Sequence, residues 1–156
     1  MDSGITAGTI VELIMGVLIV GAIVLTIAYF FVRTLHRALT RCSSESRTMS
    51  PARVWLLFVP FFNFFWLFWV VNALSDSLHR EFTRRGIAAE PHPGRSLGYG
   101  YAILFGLSRG LSMIPVVGDI AGALAGVGGT ICWIFYWMKI ADHSARIAEP
   151  FTPPGS

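Results

Sequence analysis

Apolar and polar positions fall along this chain in long blocks. Residues 9–32 form a nearly unbroken apolar run of about 24, enough for one helix to cross a hydrocarbon core of about 30 Å. A polar, basic stretch follows over 33–50, whose first part (Arg33 to Arg37) is expected to extend the helix into water. A second apolar run covers 54–74 and leads into 75–85, where Leu74, Leu78 and Phe82 share one helical face; that amphipathic part is expected to lie along a membrane surface. A loop over 86–96, two further apolar runs at 97–114 and 118–141, and a polar tail over 142–156 complete the chain. Boundary residues fit these blocks. Thr9 and Glu12 have the spacing of a capping box, and Ser50 precedes Pro51 as an N-cap precedes a first-turn proline. Gly86 follows Arg84 and Arg85 as a C-terminal glycine follows basic residues, and Ser96 reads as the cap of the third run.

The 54–74 run decides the topology. At about 21 residues it is just long enough to span, yet Pro60 and Asn63 place a helix breaker and a turn former in its middle. Charge separates the two routes. If 54–74 crosses, the arginines of the second loop and the basic residues of the tail lie opposite those of the first loop, and no inside bias survives. If it dips in and returns, eleven of the twelve basic residues lie on one side, with only Arg109 apart. Each limb, 51–59 and 63–74, reaches about half a bilayer at 1.5 Å per residue. The expectation is an all-α integral membrane protein with three transmembrane helices and a re-entrant or interfacial helical hairpin bent at Pro60–Asn63. Four transmembrane helices is the alternative. The turn Ile114-Pro115-Val116-Val117-Gly118 repeats the form of Val59-Pro60-Phe61-Phe62-Asn63, in keeping with two helical hairpins of unequal depth.

Composition agrees. Of 156 residues, 54% are hydrophobic and 13% charged, too little charge for the surface of a soluble domain. The net charge of +3 rests on eleven arginines and Lys139; without interleaved aromatic platforms it reads as orientation beside anionic headgroups, and no nucleic acid is expected as a partner. No basic region precedes the first run and no small-residue cleavage site follows it, so no cleaved signal peptide is expected. Cys42 and Cys132 stand far apart in different settings, which argues against a disulfide and leaves Cys42 a plain thiol or an acylation site.

Candidate chemistry is sparse. Gly118, Gly122 and Gly126, with Gly129, make a small-residue ridge for close helix packing, internal or between subunits. Arg109, Asp119 and Glu12 are charges at the outer ends of apolar runs, placed for a structural ion pair or, alternatively, for a pathway. Asn63 and Asn72 suit interhelical hydrogen bonds or polar cargo. Trp133, Tyr136 and Trp137 near Lys139 form an interfacial anchor. Gly106-Leu107-Ser108-Arg109-Gly110 has the G-x-S-x-G form without the preceding strand that a nucleophile elbow needs. Asp142 with His143, and Asp76 with His79, are too few for a metal site. No cofactor, metal or catalytic residue is expected.

The segment Val59-Pro60-Phe61-Phe62-Asn63-Phe64-Phe65-Trp66 and the closing Trp133-Ile134-Phe135-Tyr136-Trp137-Met138-Lys139-Ile140-Ala141 resemble small multi-span bacterial membrane proteins of unknown function. The resemblance covers roughly residues 54–146 and implies the inner membrane, but no activity. The expected function is that of a non-enzymatic, self-associating or accessory subunit of a membrane assembly. Membrane lipids and further copies or a larger complex are its expected partners, its N-terminus outside and its C-terminus cytoplasmic. The alternative is an oligomeric ion channel or small-solute transporter with Pro60–Asn63 and Arg109 at the pathway.

Overall fold

In the computed structural model, which describes residues 7–59, 62–88, 90–114 and 117–148, the apolar runs fold as helices. These are α1 (Ala7–Arg41), a 3-10 helix (Pro51–Phe58), α2 (Phe62–Arg84), α3 (Arg95–Leu111) and α4 (Val117–Ala148). All regular structure among the described residues is helical. Pro60 and Pro115, the prolines of the two expected turns, lie outside the described residues. The same bond closes each turn around them: Asn63 N–H donates to the Val59 carbonyl and Gly118 N–H to the Ile114 carbonyl, both at 3.0 Å.

Several helix ends differ from those expected. α1 is already helical at Ala7, so Thr9 sits within the first turns rather than at the cap. Ser50 has extended backbone and precedes Pro51 as expected, but its hydroxyl makes no capping bond and the helix that follows is 3-10 rather than α. α3 begins at Arg95 behind Gly94, whose φ of 74° is the left-handed conformation glycine tolerates, so Ser96 is inside the helix. Gly86, at φ 64°, ends α2 in a Schellman motif: Ile87 N–H reaches the Phe82 carbonyl at 3.0 Å and Gly86 N–H the Thr83 carbonyl at 3.2 Å. α4 does not stop where its apolar run does. Its last turns, expected as tail, bury His143, Ser144 and Ile147 and carry an Arg146–Asp142 pair at 2.9 Å.

Cross-contacts fix the directions. Phe31 packs on Trp133, Thr34 accepts from Trp137 and Arg41 donates to Ser144, so α1 and α4 run parallel. Gly98 lies against Val71 and Gly106 against Phe64, so α3 runs opposite to α2; Gly100 on Cys132 and Gly126 on Ser108 make it opposite to α4 as well. After α1 the chain turns back. His36 Nδ1 lies 3.0 Å from the Pro51 carbonyl, which can only accept, so that nitrogen carries the proton. Trp55 then packs on Tyr29, 5.7 Å between centroids, one step back along α1.

The 3-10 helix rises about 16 Å, at about 2.0 Å per residue, and α2 descends a similar distance from Phe62 to Ala73. There Thr48, at the foot of the rising limb, meets the descending one: its hydroxyl donates to the Ala73 carbonyl at 2.8 Å and its N–H to Ser77 Oγ at 3.0 Å. The limb therefore returns to the end it left. Beyond Ala73, α2 continues uninterrupted. Leu74, Leu78 and Phe82 do share a buried face, but it is covered by the chain itself instead of lying free as a separate surface helix.

The core sits at one end. Phe31, Leu35, Leu39, Val70, Leu74, Leu78, Tyr136 and Ile140 are buried together. In contrast, every residue from Gly8 to Phe30 is exposed except Gly21 and Ala28, which are half-buried.

Candidate functional site: an arginine-capped base and an uncovered apolar end

At the base, Glu81 organises the chain. It is 2% exposed, and its carboxylate accepts from Ser43 N–H at 2.9 Å, Ser43 Oγ at 2.8 Å and Arg85 Nε at 2.7 Å. Burial pushes its pKa up, but the Ser43 and Arg85 bonds, with Ser46 nearby, outweigh that and hold it at about 2. Arg85 also donates to the Ile147 carbonyl at 2.8 Å, and Arg41 to the Ser144 carbonyl at 2.8 Å. Two arginines from α1 and the end of α2 thus satisfy carbonyls in the last turns of α4, where a helix carries partial negative charge. Arg84 pairs with Glu45 at 3.5 Å, Arg95 with Asp76 at 2.6 Å and Lys139 with Glu90 at 2.6 Å. A cleft of about 320 Å³ opens beside Arg41, Glu81, Arg84 and Arg85, but all three guanidinium groups are already engaged. It is a structural hub.

Cys42 lies against this hub, 1% exposed, its thiol donating to the Ala38 carbonyl at 3.3 Å. Burial, with Glu81 adding, pushes its pKa to about 12, so the thiol is protonated and sheltered from acylation.

The glycine ridge packs within the chain. A Cβ on Gly122 would lie 3.1 Å from the Ser108 carbonyl oxygen, on Gly126 3.0 Å from Ser108 Oγ, and on Gly129 3.2 Å from the Phe105 nitrogen; on Gly118 it would overlap the Leu111 carbonyl. The ridge is the α3–α4 seam. Ser108, the serine of the G-x-S-x-G sequence, is a packing residue in the last turn of α3. Asn72 ties α2 to α3, accepting from Tyr99 Oη at 2.7 Å while its amide donates to the Phe68 carbonyl at 3.0 Å.

The remaining sequence candidates lie on the surface, and the expected ion pair is not formed. Arg109 is exposed and rests on the Phe105 ring, 5.5 Å from the centroid. Asp119 and Glu12 are exposed and joined to Arg109 by no salt bridge, because the N-terminal half of α1 packs against nothing that carries Arg109. Asn63 is exposed at the start of α2. None of the five best-formed clefts among the described residues has Asn63, Asn72, Arg109 or Asp119 on its wall, and Glu12 lines a shallow groove along α1. Asp76 and Asp142 are held by Arg95 and Arg146.

Sequence reasoning passed over Glu81, Arg85, Arg41, Thr48 and Tyr99. The i,i+4 spacing of Glu81 and Arg85 was a usable signal. The others act through partners more than 20 residues away, which no local pattern marks.

The arrangement defines a class: an all-helical chain in which two helices, α1 and α4, are long and apolar enough to cross a membrane. Protein-family models, curated proteins and solved structures yield no match to this chain.

Proposed function

We propose that this protein is a non-enzymatic integral membrane subunit, self-associating or accessory to a larger assembly. It is held by three spans (α1, α3 and α4) and a half-depth re-entrant hairpin, in keeping with the multi-span bacterial family it resembles. One observation carries the reading. The most apolar helix of the chain has no cover over its N-terminal half: a Cβ added at Gly16 or Gly21 would meet nothing within 4 Å, whereas the α3–α4 ridge is fully used inside the chain. Lipid can cover such a helix, and its groove of Thr9, Glu12, Gly16 and Val20 offers small side chains and one carboxylate to a neighbouring helix. A conducting pathway has less support, since Asn63, Arg109 and Asp119 stand on none of the walls of these clefts.

The test is disulfide trapping in native membranes, in a Cys42→Ser/Cys132→Ala background. Gly16→Cys is expected to give a cross-linked dimer, or an adduct with a partner, on mild oxidation, and Leu18→Cys on the far side of the helix much less. Equal yields from both positions, or none from either, would defeat the proposal.

A further inference from the structure

A groove of about 600 Å³ runs between α1 and α4 on the side away from α3. Ile27, Phe30 and Ile134 line its apolar length. Its floor is fixed: Trp137 Nε1 donates to Thr34 Oγ1 at 3.0 Å, and Phe31 packs behind with Trp133 and Trp137 at 5.5 and 5.8 Å. At its polar mouth stand Arg33 and Arg37, one helical turn apart.

Four arginines at this end, Arg33, Arg37, Arg53 and Arg80, have no acceptor among the described residues, and of these only Arg33 and Arg37 stand on the groove. Arg41, Arg47, Arg84, Arg85, Arg95 and Arg146 all have acceptors, either a carboxylate or a backbone carbonyl. Arg33 and Arg37 are both exposed. A pair of free guanidinium groups matches the non-bridging oxygens of a phosphodiester, to which arginine binds through charge-assisted bonds. The apolar groove beyond them runs towards the middle of α1, the direction in which an acyl chain leaves a headgroup placed at Arg33. The flanking indoles are the residue type that sits at headgroup level.

We infer that the α1–α4 groove is a binding site for one anionic phospholipid, its phosphate held by Arg33 and Arg37 and an acyl chain lying along Ile27, Phe30 and Ile134. This rests on the membrane reading above. It goes beyond that reading by assigning a lipid class and its ligands.

The experiment offers the delipidated full-length protein an equimolar mixture of phosphatidylglycerol and phosphatidylcholine and counts retained lipids by native mass spectrometry. One phosphatidylglycerol per chain is expected to survive at activation energies that strip phosphatidylcholine. Arg33→Gln/Arg37→Gln should lower that occupancy roughly ten-fold or more, from two lost headgroup contacts. Arg53→Gln/Arg80→Gln, which removes equal charge elsewhere, should leave it unchanged. Inorganic phosphate should not displace the lipid, since it brings no acyl chain. Equal retention of the two lipids, equal losses in the two double variants, or displacement by phosphate would overturn the assignment. Detergent phase separation tells the two levels apart: a protein that stays in the aqueous phase sinks the membrane reading and the site together, and a protein in the detergent phase without lipid preference sinks only the site.

Discussion

Glu81 is buried where a carboxylate would ordinarily resist ionisation, and it is ionised because Ser43 and Arg85 donate three bonds to it. The consequence for pH follows from the sign of the shift. Its folded pKa of about 2 lies below the unfolded value, so its contribution is complete above pH of about 4.5 and is lost as the pH falls towards 2. His143 works in a higher window. It is 7% exposed against Phe82, and burial, with Arg146 adding, lowers its pKa below the usual imidazole value. The unfolded chain therefore takes up a proton that the folded chain refuses, and stability declines as the pH drops below about 6.5. Thermal melts in detergent should show two regimes, a shallow loss below pH of about 6.5 that His143→Phe flattens, and a steeper one below about 4.5. Glu81→Ala strands Arg85 and the Ser43 N–H and should cost about 3 kcal/mol at neutral pH. A Glu81→Ala melting temperature equal to that of the parent would show that the base is held by packing alone.

Among the elements, the α3–α4 hairpin was the most legible, because glycine at four-residue spacing has few uses in an apolar helix other than close approach. What the pattern left open was the partner, internal or external. The geometry answers with the backbone of α3: Ser108 and Phe105 lie within about 3 Å of where side chains would begin. Gly122→Leu is accordingly expected to destabilise the fold by about 1–3 kcal/mol through overpacking, without changing particle mass. Gly16→Leu should do the reverse, leaving the melt alone, where a Cβ meets nothing, and weakening association. A single measurement pairing calorimetry with light scattering separates them, and a drop in particle mass for Gly122→Leu would contradict the internal seam. Helix lengths were less legible. The apolar run of α4 ends near residue 141, yet the helix continues to Ala148 because Arg41 and Arg85 supply acceptable ends for carbonyls that the sequence leaves bare. The separation of Glu12 from Arg109 was equally out of reach. It depends on how far α1 stands away from α3, and α1 is apolar all round with no stripe to set that distance.

At the scale of the whole molecule, the count of arginines and the path of the backbone bear on the same question, where residues 54–74 go. The count favours a return of residues 54–74 to the side they left, with a full crossing as the alternative. In the backbone path Thr48 is bonded to Ala73 and Ser77, Ser43 to Glu81, and Glu45 to Arg84, so the loop before the hairpin and the end of α2 share one face. A full crossing would separate those partners by a bilayer thickness of about 30 Å. It would also break the Glu81 hub and leave a buried carboxylate without donors. Topology and stability are therefore coupled, and one accessibility experiment reads both. Ala88 is exposed just past Gly86, on the face that α2 reaches. Ala88→Cys, in the Cys42→Ser/Cys132→Ala background, is expected to resist a membrane-impermeant thiol reagent in intact cells and to react fully in inverted vesicles. Thr9→Cys, at the far end of α1, should show the opposite preference. Were Ala88→Cys to react from outside, residues 54–74 would have to cross, and the bonds from Ser43 and Thr48 to α2 would have to be given up with the hairpin.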